Sequence, residues 1–380
     1  MVDFELSEDQ RMIRDMARDF ADKELKPIAE RLDRESEWPA EIFKKMGELG
    51  LMGMILPEKY NGAELDPISY VLALEEISRG DASVGVMMSI HNSLVAELIL
   101  KFGTDAQKER FLPELATAEK IGCFSITEPN AGSDAGAVQT TAVKDGNEYV
   151  INGTKIFTSG AAYADVVILF ASTDRSKGSK GISTFIIPKG TPGLEVGTIE
   201  HKMGMNASGT AELVLQDCRV SEDLRLGSEG EGFKIALIGF DGGRIGIASQ
   251  SVGIARAALE ASVEYAKQRE QFGKPIGLFQ AVQFMIADMA TEIDAARLLT
   301  LRAAHVKGQG ARFSKEAAMA KLFASETCVK ATRLAVQIHG GYGYMKEYAV
   351  ERHYRDAKVT EIYEGTSEIM RWIIAAALLR

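Results

Sequence analysis

The sequence predicts an α+β protein of three successive domains, helical over residues 1–119, β-rich over 120–228, and a four-helix bundle over 229–380. Three observations support this. Apolar residues in the first third recur at helical spacing, as in Met12, Met16 and Phe20. From about residue 140 the period changes to short β-rich runs punctuated by Gly, Asp, Asn and Pro. After Pro192 the only proline is Pro275, so residues 276–380 hold none, and proline is the strongest helix breaker.

Each element follows in order. Ser7 and Asp9 stand before the first apolar stripe as caps, and Ile13 and Ala17 extend it. Residues 40–50 repeat the pattern through Ile42, Phe43, Met46 and Leu49, with Gly50 as a stop. Runs over 70–77 and 84–102 complete a helical region to about residue 115. Asp145-Gly146 and Asn152-Gly153 are two-residue hairpin signals, which predict strands at 140–144, 147–151 and 154–158. Further β-rich runs occupy 166–171, 181–187 and 211–215. In the last zone 233–254 and onward, 279–301, 315–337 and 366–379 show helical period, and the length suits four bundled helices. Gly308-Gln309-Gly310 and Gly340-Gly341-Tyr342-Gly343 mark breaks.

Composition narrows the function classes. Of 380 residues 46% are apolar and 26% charged, which excludes a disordered or collagen-like chain. Fifty-four acidic against 44 basic side chains leave a net charge of −10. An acidic surface repels a phosphate backbone, so no nucleic-acid partner is expected. Cys123, Cys218 and Cys328 form an odd set without CxxC spacing, which reads as reduced thiols in a cytoplasmic protein. Met1-Val2-Asp3-Phe4-Glu5 lacks the basic start and apolar core of an export leader. No run of about 18 apolar residues stands out, so no membrane insertion is expected.

Several local enzyme signatures are missing. The chain has no GxxxxGK[ST] phosphate loop, no strand-borne GxGxxG, no HExxH and no GxSxG elbow. His91, His201, His305, His339 and His353 are scattered, so no metal site is expected.

Four segments carry a resemblance. Residues 124–134 read FSITEPNAGSD, 269–275 read REQFGKP, and 337–344 read QIHGGYGY. Arg355-Asp356 is followed by IYEGTSEI at 362–369. In this order, over helix, β and helix zones, they resemble the acyl-CoA dehydrogenase family near its short-chain, butyryl-type branch. The likeness runs from about residue 4 to the C-terminus. It implies an N-terminal helical domain, a middle β-barrel-like domain and a C-terminal four-helix bundle. It also implies one FAD per subunit and a homotetramer.

The resemblance assigns roles. Glu364 matches the base that removes the substrate α-proton, although a glutamate at a helix start is ordinary by itself. That task needs a carboxylate in a dry pocket, where desolvation raises its pKa. Phe124, Ile126, Thr127, Gly132 and Ser133 match groups lining flavin and substrate, and Ser133 also matches a CoA contact. Pro129, Asn130, Gly132 and Ser133 make good turns unaided. Phe157, Thr158 and Ser159 match a flavin-facing segment. The family usually has Trp at the Phe157 position, so the aromatic face stays and the indole N–H is lost. Ser159 keeps the hydroxyl of a common Thr. Asp241 and Arg244 match contacts to the CoA pantetheine and adenine ends, yet three apart on a helix they can pair with each other. Arg269, Phe272 and Gln280 match FAD-binding positions. So do Gln337, Gly340 and Gly341, which the family supplies from a neighbouring subunit. Taken alone, the two glycines are a helix stop and a turn. Thr366, Ser367 and Glu368 match the helix start that holds the FAD diphosphate, with Glu368 better suited to adenosine hydroxyls. Gly365 matches a substrate contact. Other branches place the base at position 243, so Gly243 leaves the task to Glu364.

The implied reaction is FAD-dependent α,β-dehydrogenation of a short-chain acyl-CoA to the trans-2-enoyl-CoA, a step of fatty-acid β-oxidation. Glu364 would take the pro-R α-proton while the β-hydrogen leaves as hydride to the flavin. The Glu364 backbone N–H and a ribityl hydroxyl would polarise the thioester oxygen. Electrons would pass to an electron-transferring flavoprotein. An acyl-CoA oxidase or nitroalkane-oxidase relative on the same fold and a non-catalytic helical scaffold are the alternatives. The acyl pocket floor is expected around residues 84–95, with Met87, Met88 and His91. Glutaryl-type members carry an arginine in this stretch; here the nearest is Arg79. A dicarboxylic substrate is therefore disfavoured, and straight, branched and cyclic short chains stay open. His91 is either a polar group on the floor or a structural histidine.

Overall fold

The computed structural model describes residues 5–379; residues 1–4, where the leader reading and the resemblance begin, and Arg380 lie outside the described residues. Seven helices open the chain: α1 (Glu8–Phe20), α2 (Ala29–Glu35), α3 (Ala40–Glu48), α4 (Pro67–Gly80), α5 (Ala82–Ser89), α6 (Glu97–Phe102) and α7 (Asp105–Ala116). Reciprocal capping boxes start α1 (Ser7 with Gln10) and α7 (Thr104 with Gln107). Asp66 caps α4, with Pro67 in the first turn where no N–H is needed. A π-helical stretch, Ile90–Ala96, joins α5 to α6. The resulting rod, Ala82–Phe102, is apolar enough by composition to cross a bilayer, but 94% of its most apolar window is buried inside the protein.

The middle region is one eight-stranded mixed sheet. Its strands are β1 (Gly122–Ser125), β2 (Thr141–Asp145), β3 (Glu148–Thr158), β4 (Val166–Ser172), β5 (Ile182–Pro188), β6 (Leu194–Ile199), β7 (Ala211–Ser221) and β8 (Arg225–Leu226). The order is β6-β7-β3-β2-β4-β5-β8, with β1 paired in parallel to β4. Asp145 pairs with Glu148 across a two-residue turn, as the Asp145-Gly146 signal predicts. Asn152-Gly153 makes no hairpin. Strand β3 runs straight through it, and the register against β7 shifts between Ile151 and Gly153. The partner explains why: β7 is eleven residues long and pairs with both halves of β3. Gly153 has φ 154°, and Asn152 exchanges hydrogen bonds with Asp217 on the bulged partner.

Both faces of β4 are buried. Val166, Ile168 and Phe170 join the core shared with the helices, whereas Val167, Leu169 and Ala171 join a second core with Phe185, Ile187, Leu213 and Val220. The strand therefore reads as an unbroken apolar run rather than an alternating one.

The C-terminal region packs α8 (Gly232–Gln268), α9 (Gln280–Gly308), α10 (Ser314–His339) and α12 (Ser367–Leu379). A short α11 (Ala349–Lys358) is additional to the four predicted helices; its pattern is amphipathic but spans only ten residues. A two-stranded hairpin, β9 (Glu270–Gln271) with β10 (Lys274–Pro275), separates α8 from α9.

Candidate active site

The site is built on α8. A Cβ at Gly243 would lie 1.9 Å from Glu364 Oε2, so the carboxyl rests against bare helix backbone. Glu364 (φ 52°) and Gly365 (φ 99°) are consecutive left-handed residues that turn the chain sharply into α12. Two cations from two helices hold that turn. Arg244 Nε on α8 donates to Glu364 O at 3.3 Å, and Lys321 Nζ on α10 donates to Gly365 O at 2.7 Å. Tyr363 donates its hydroxyl to Gln250 Oε1, which fixes the other flank.

Glu364 keeps some exposed surface, but its Oε2 is sealed from solvent and has no hydrogen-bond partner among the described residues. Burial pushes its pKa up to about 7, with Arg244 and Lys321 pulling the other way. Burial likewise draws Lys321 down to about 8, opposed by Glu364. A carboxyl with this environment changes protonation near neutral pH, as a general base must.

A second wall comes from the sheet. Ser125 Oγ and Thr158 Oγ1 are 2.8 Å apart, and Ile156 N donates to Thr127 O at 2.9 Å. Between them Phe157 stands out of the ladder with φ 57° and is 62% exposed, so it is no core residue. Phe124 lies at the junction of the two walls. Its ring centroid is 5.6 Å from that of Phe240, over which Arg244 sits at 5.8 Å. Ile126 and Thr158 are buried, and Ser159 is half-buried. Gly132 and Ser133 are exposed on the loop beyond.

At the start of α12, Thr366 Oγ1 accepts from Ile369 N, and Ser367 Oγ is buried without a partner among the described residues. Glu368 is exposed beside them. Asp241 and Arg244 are spent on each other at 2.8 Å, and Ser314 donates its hydroxyl to Asp241. Arg244 is thereby aimed at the Glu364 turn.

A separate group forms elsewhere on the C-terminal helices. Arg269, Gly340 and Gly341 line a cavity of about 430 Å³ with Tyr265, His339 and Tyr342. Arg269 lies over the Tyr342 ring at 5.3 Å, and the Tyr265 and His339 rings stack at 4.2 Å. Phe272 (94% exposed), Gln280 and Gln337 are surface residues outside this lining. The expected cofactor positions thus fall into two sets, one beside Glu364 and one around Arg269.

His91 is structural. Gly122 N donates to its Nδ1 at 3.1 Å and its Nε2 lies 2.9 Å from Leu115 O, so both ring nitrogens serve main chain. Burial holds it neutral, with a pKa down at about 4.

Sequence reasoning missed Lys321, Gln250, Glu128 and Lys155. Lys321 carried one signal, a lone cation inside the apolar run 317–324. The others looked like ordinary polar residues.

Known proteins resemble the chain over its whole length. Residues 7–119, 123–218 and 230–379 match the N-terminal, middle and C-terminal domains of the family described as acyl-CoA dehydrogenase. The chain is 54% identical over 376 residues to the mitochondrial short-chain specific acyl-CoA dehydrogenase of Bos taurus, covering 99% of this chain and 91% of that protein. Butyryl-CoA dehydrogenase from Megasphaera elsdenii superposes with a TM-score of 0.98 at 48% identity, over the whole of both chains. A chain from a structure of the electron-transferring flavoprotein of Acidaminococcus fermentans, described in work on flavin-based electron bifurcation, superposes at 0.99. It is 51% identical and covers both chains completely.

Proposed function

The chain belongs to the acyl-CoA dehydrogenase family, and on that premise we propose that it oxidises a short-chain acyl-CoA to the trans-2-enoyl-CoA with FAD as its cofactor. A single observation carries the reading: a carboxyl with one oxygen sealed from water and unpartnered among the described residues, held on a turn that two cations fix.

The residues present fit FAD. Phe157 offers a bare aromatic face, the Ser125 and Thr158 hydroxyls meet beside it, and the orphaned Ser367 Oγ stands at a helix N-terminus suited to a phosphate. Bound FAD supplies the two-electron acceptor for the hydrogen lost from the β-carbon. Glu364 takes the α-proton onto its carboxylate. Arg244 and Lys321 occupy the carbonyls of the turn, which leaves the Glu364 N–H to polarise the thioester oxygen. Exclusion of water strengthens each of these interactions.

Close packing behind the base supports a short acyl chain. A Cβ at Gly246 would lie 2.1 Å from Ser89 Oγ and 3.2 Å from the Tyr70 hydroxyl, so bare α8 backbone packs directly on the Ser89 side chain of the 82–102 rod. Arg79 is tied to Glu76, Asp22 and Glu260, so it offers no charge to a second substrate carboxylate. The homotetramer and the electron-transferring flavoprotein partner belong to the same proposal. The separation of the Arg269 set from the Glu364 set, with Phe272 and Tyr344 bare between elements, supports a cofactor site shared by neighbouring subunits. Three buried, unbonded thiols support a cytoplasmic setting.

Two expected results test this. The purified protein should be yellow, release FAD on heating and scatter light as a tetramer. Release of FMN, or a monomer with full FAD occupancy, would contradict it. The rate should also follow the base. Glu364 acts only when deprotonated, so kcat/KM for butyryl-CoA should rise about tenfold per pH unit below pH 7 and level off above it. A flat profile from pH 5.5 to 8 would separate the sealed carboxyl from the rate.

A further inference from the structure

We propose that the buried Lys155–Glu128 ion pair is the positioning device of the flavin cradle, locking the loop after β1 to the end of β3 so that Phe157 is presented out of the sheet. The proposal rests on the FAD reading above. Lys155 is fully buried and Glu128 is 5% exposed, with Nζ 2.7 Å from Oε1. The pair also bonds to main chain at three positions. Lys155 donates to Ile126 O at 3.2 Å, and Glu128 accepts from Gln139 N at 2.6 Å and Thr140 N at 2.9 Å. Burial disfavours the Glu128 charge, but Lys155 and these donors outweigh it and hold its pKa below the usual value.

Three segments therefore meet on two side chains: the loop after β1, the approach to β2 and the end of β3. Lys155, Ile156 and Thr158 are each bonded to residues 125–128, and the residue between them, Phe157, is the one left out. The register of β3 against β7 shifts across this stretch. A left-handed conformation is unfavourable for a bulky side chain and persists only where its surroundings over-determine it. The three anchors do that. A buried ion pair adds little net stability over an apolar pair of similar size, so its presence here is better explained by the geometry it enforces.

The experiment measures FAD binding to apoprotein by flavin fluorescence, and the visible circular dichroism of the loaded protein. The variants are Lys155→Met, the charge-free double Lys155→Met with Glu128→Gln, and Ile187→Val on β5, a core residue outside the hydrogen bonds of the pair, compared with the others at equal loss of Tm. The double variant should fold yet bind FAD about 10- to 100-fold more weakly with an altered flavin dichroism, while Ile187→Val keeps wild-type binding. If the double variant binds within twofold of wild type, or no more weakly than Ile187→Val, the proposal is overturned. It is overturned as well if both charge variants fail to fold, because the pair would then hold the whole domain rather than the cradle. Failure of the wild-type apoprotein to bind FAD would instead sink the functional reading itself.

Discussion

Glu364→Gln is expected to slow anaerobic flavin bleaching by butyryl-CoA by about 10²–10⁴-fold while leaving acyl-CoA binding in place. Glutamine keeps the shape and a hydrogen-bonding head, and it removes only the base. The Glu364 main chain stays gripped by Arg244 and Lys321, so the N–H offered to the thioester is unmoved. Water has no access to the Oε2 position, which leaves it poorly placed to stand in for the base. The pH dependence supplies an internal check, because the limb below pH 7 should vanish with the carboxyl. Stability should move the opposite way to activity. The folded pKa of about 7 lies above the unfolded value of 4.5, so the folded state binds more protons between those values and Glu364 costs stability as pH rises through that window. Glu364→Gln should therefore melt higher than wild type at pH 8. Bleaching at the wild-type rate would show that the base is misassigned.

The fold was largely legible because its signals are local. Period, capping residues and the proline-free C-terminal third place the long helices, and Asp145-Gly146 places a real hairpin. Asn152-Gly153 misled for a non-local reason. The same dipeptide serves as a turn or as a bulge, and only the length of β7 decides which. The site divides in the same way. Glu364 and the 124–134 loop sit in contiguous motifs. The groups that hold them are scattered: Arg244 and Lys321 lie 120 and 43 positions before the base, and Lys155 is 27 positions from Glu128. Such side chains act by burial and by bonds to main chain, and neither is written in sequence spacing. Asp241 and Arg244 show the limit of spacing alone. It allowed a mutual pair or a ligand contact; the structure shows the pair, with Arg244 also reaching the catalytic turn.

Gly243→Ala is expected to fold normally and to lose about 10²-fold in flavin reduction. Gly243 lies within α8, so the backbone accepts alanine, and the exchange gains about 1 kcal/mol of helix propensity. The obstacle is on the other side. The new methyl would stand 1.9 Å from Glu364 Oε2, 2.8 Å from Cδ and 3.0 Å from Oε1. Either the carboxyl swings away or the turn moves. The turn is pinned by Arg244 and Lys321 on consecutive carbonyls, so the side chain gives way. Displacement of a catalytic group by about 1 Å costs on the order of 10²-fold in rate even when its chemistry is intact. The loss should appear in kcat, with FAD content unchanged and Tm no lower than wild type, because the methyl touches neither the cradle at Phe157 nor the α12 start. A variant that folds, carries its flavin and bleaches at the wild-type rate would show that the carboxyl works from another position, and that the bare helix surface at Gly243 has no part in catalysis.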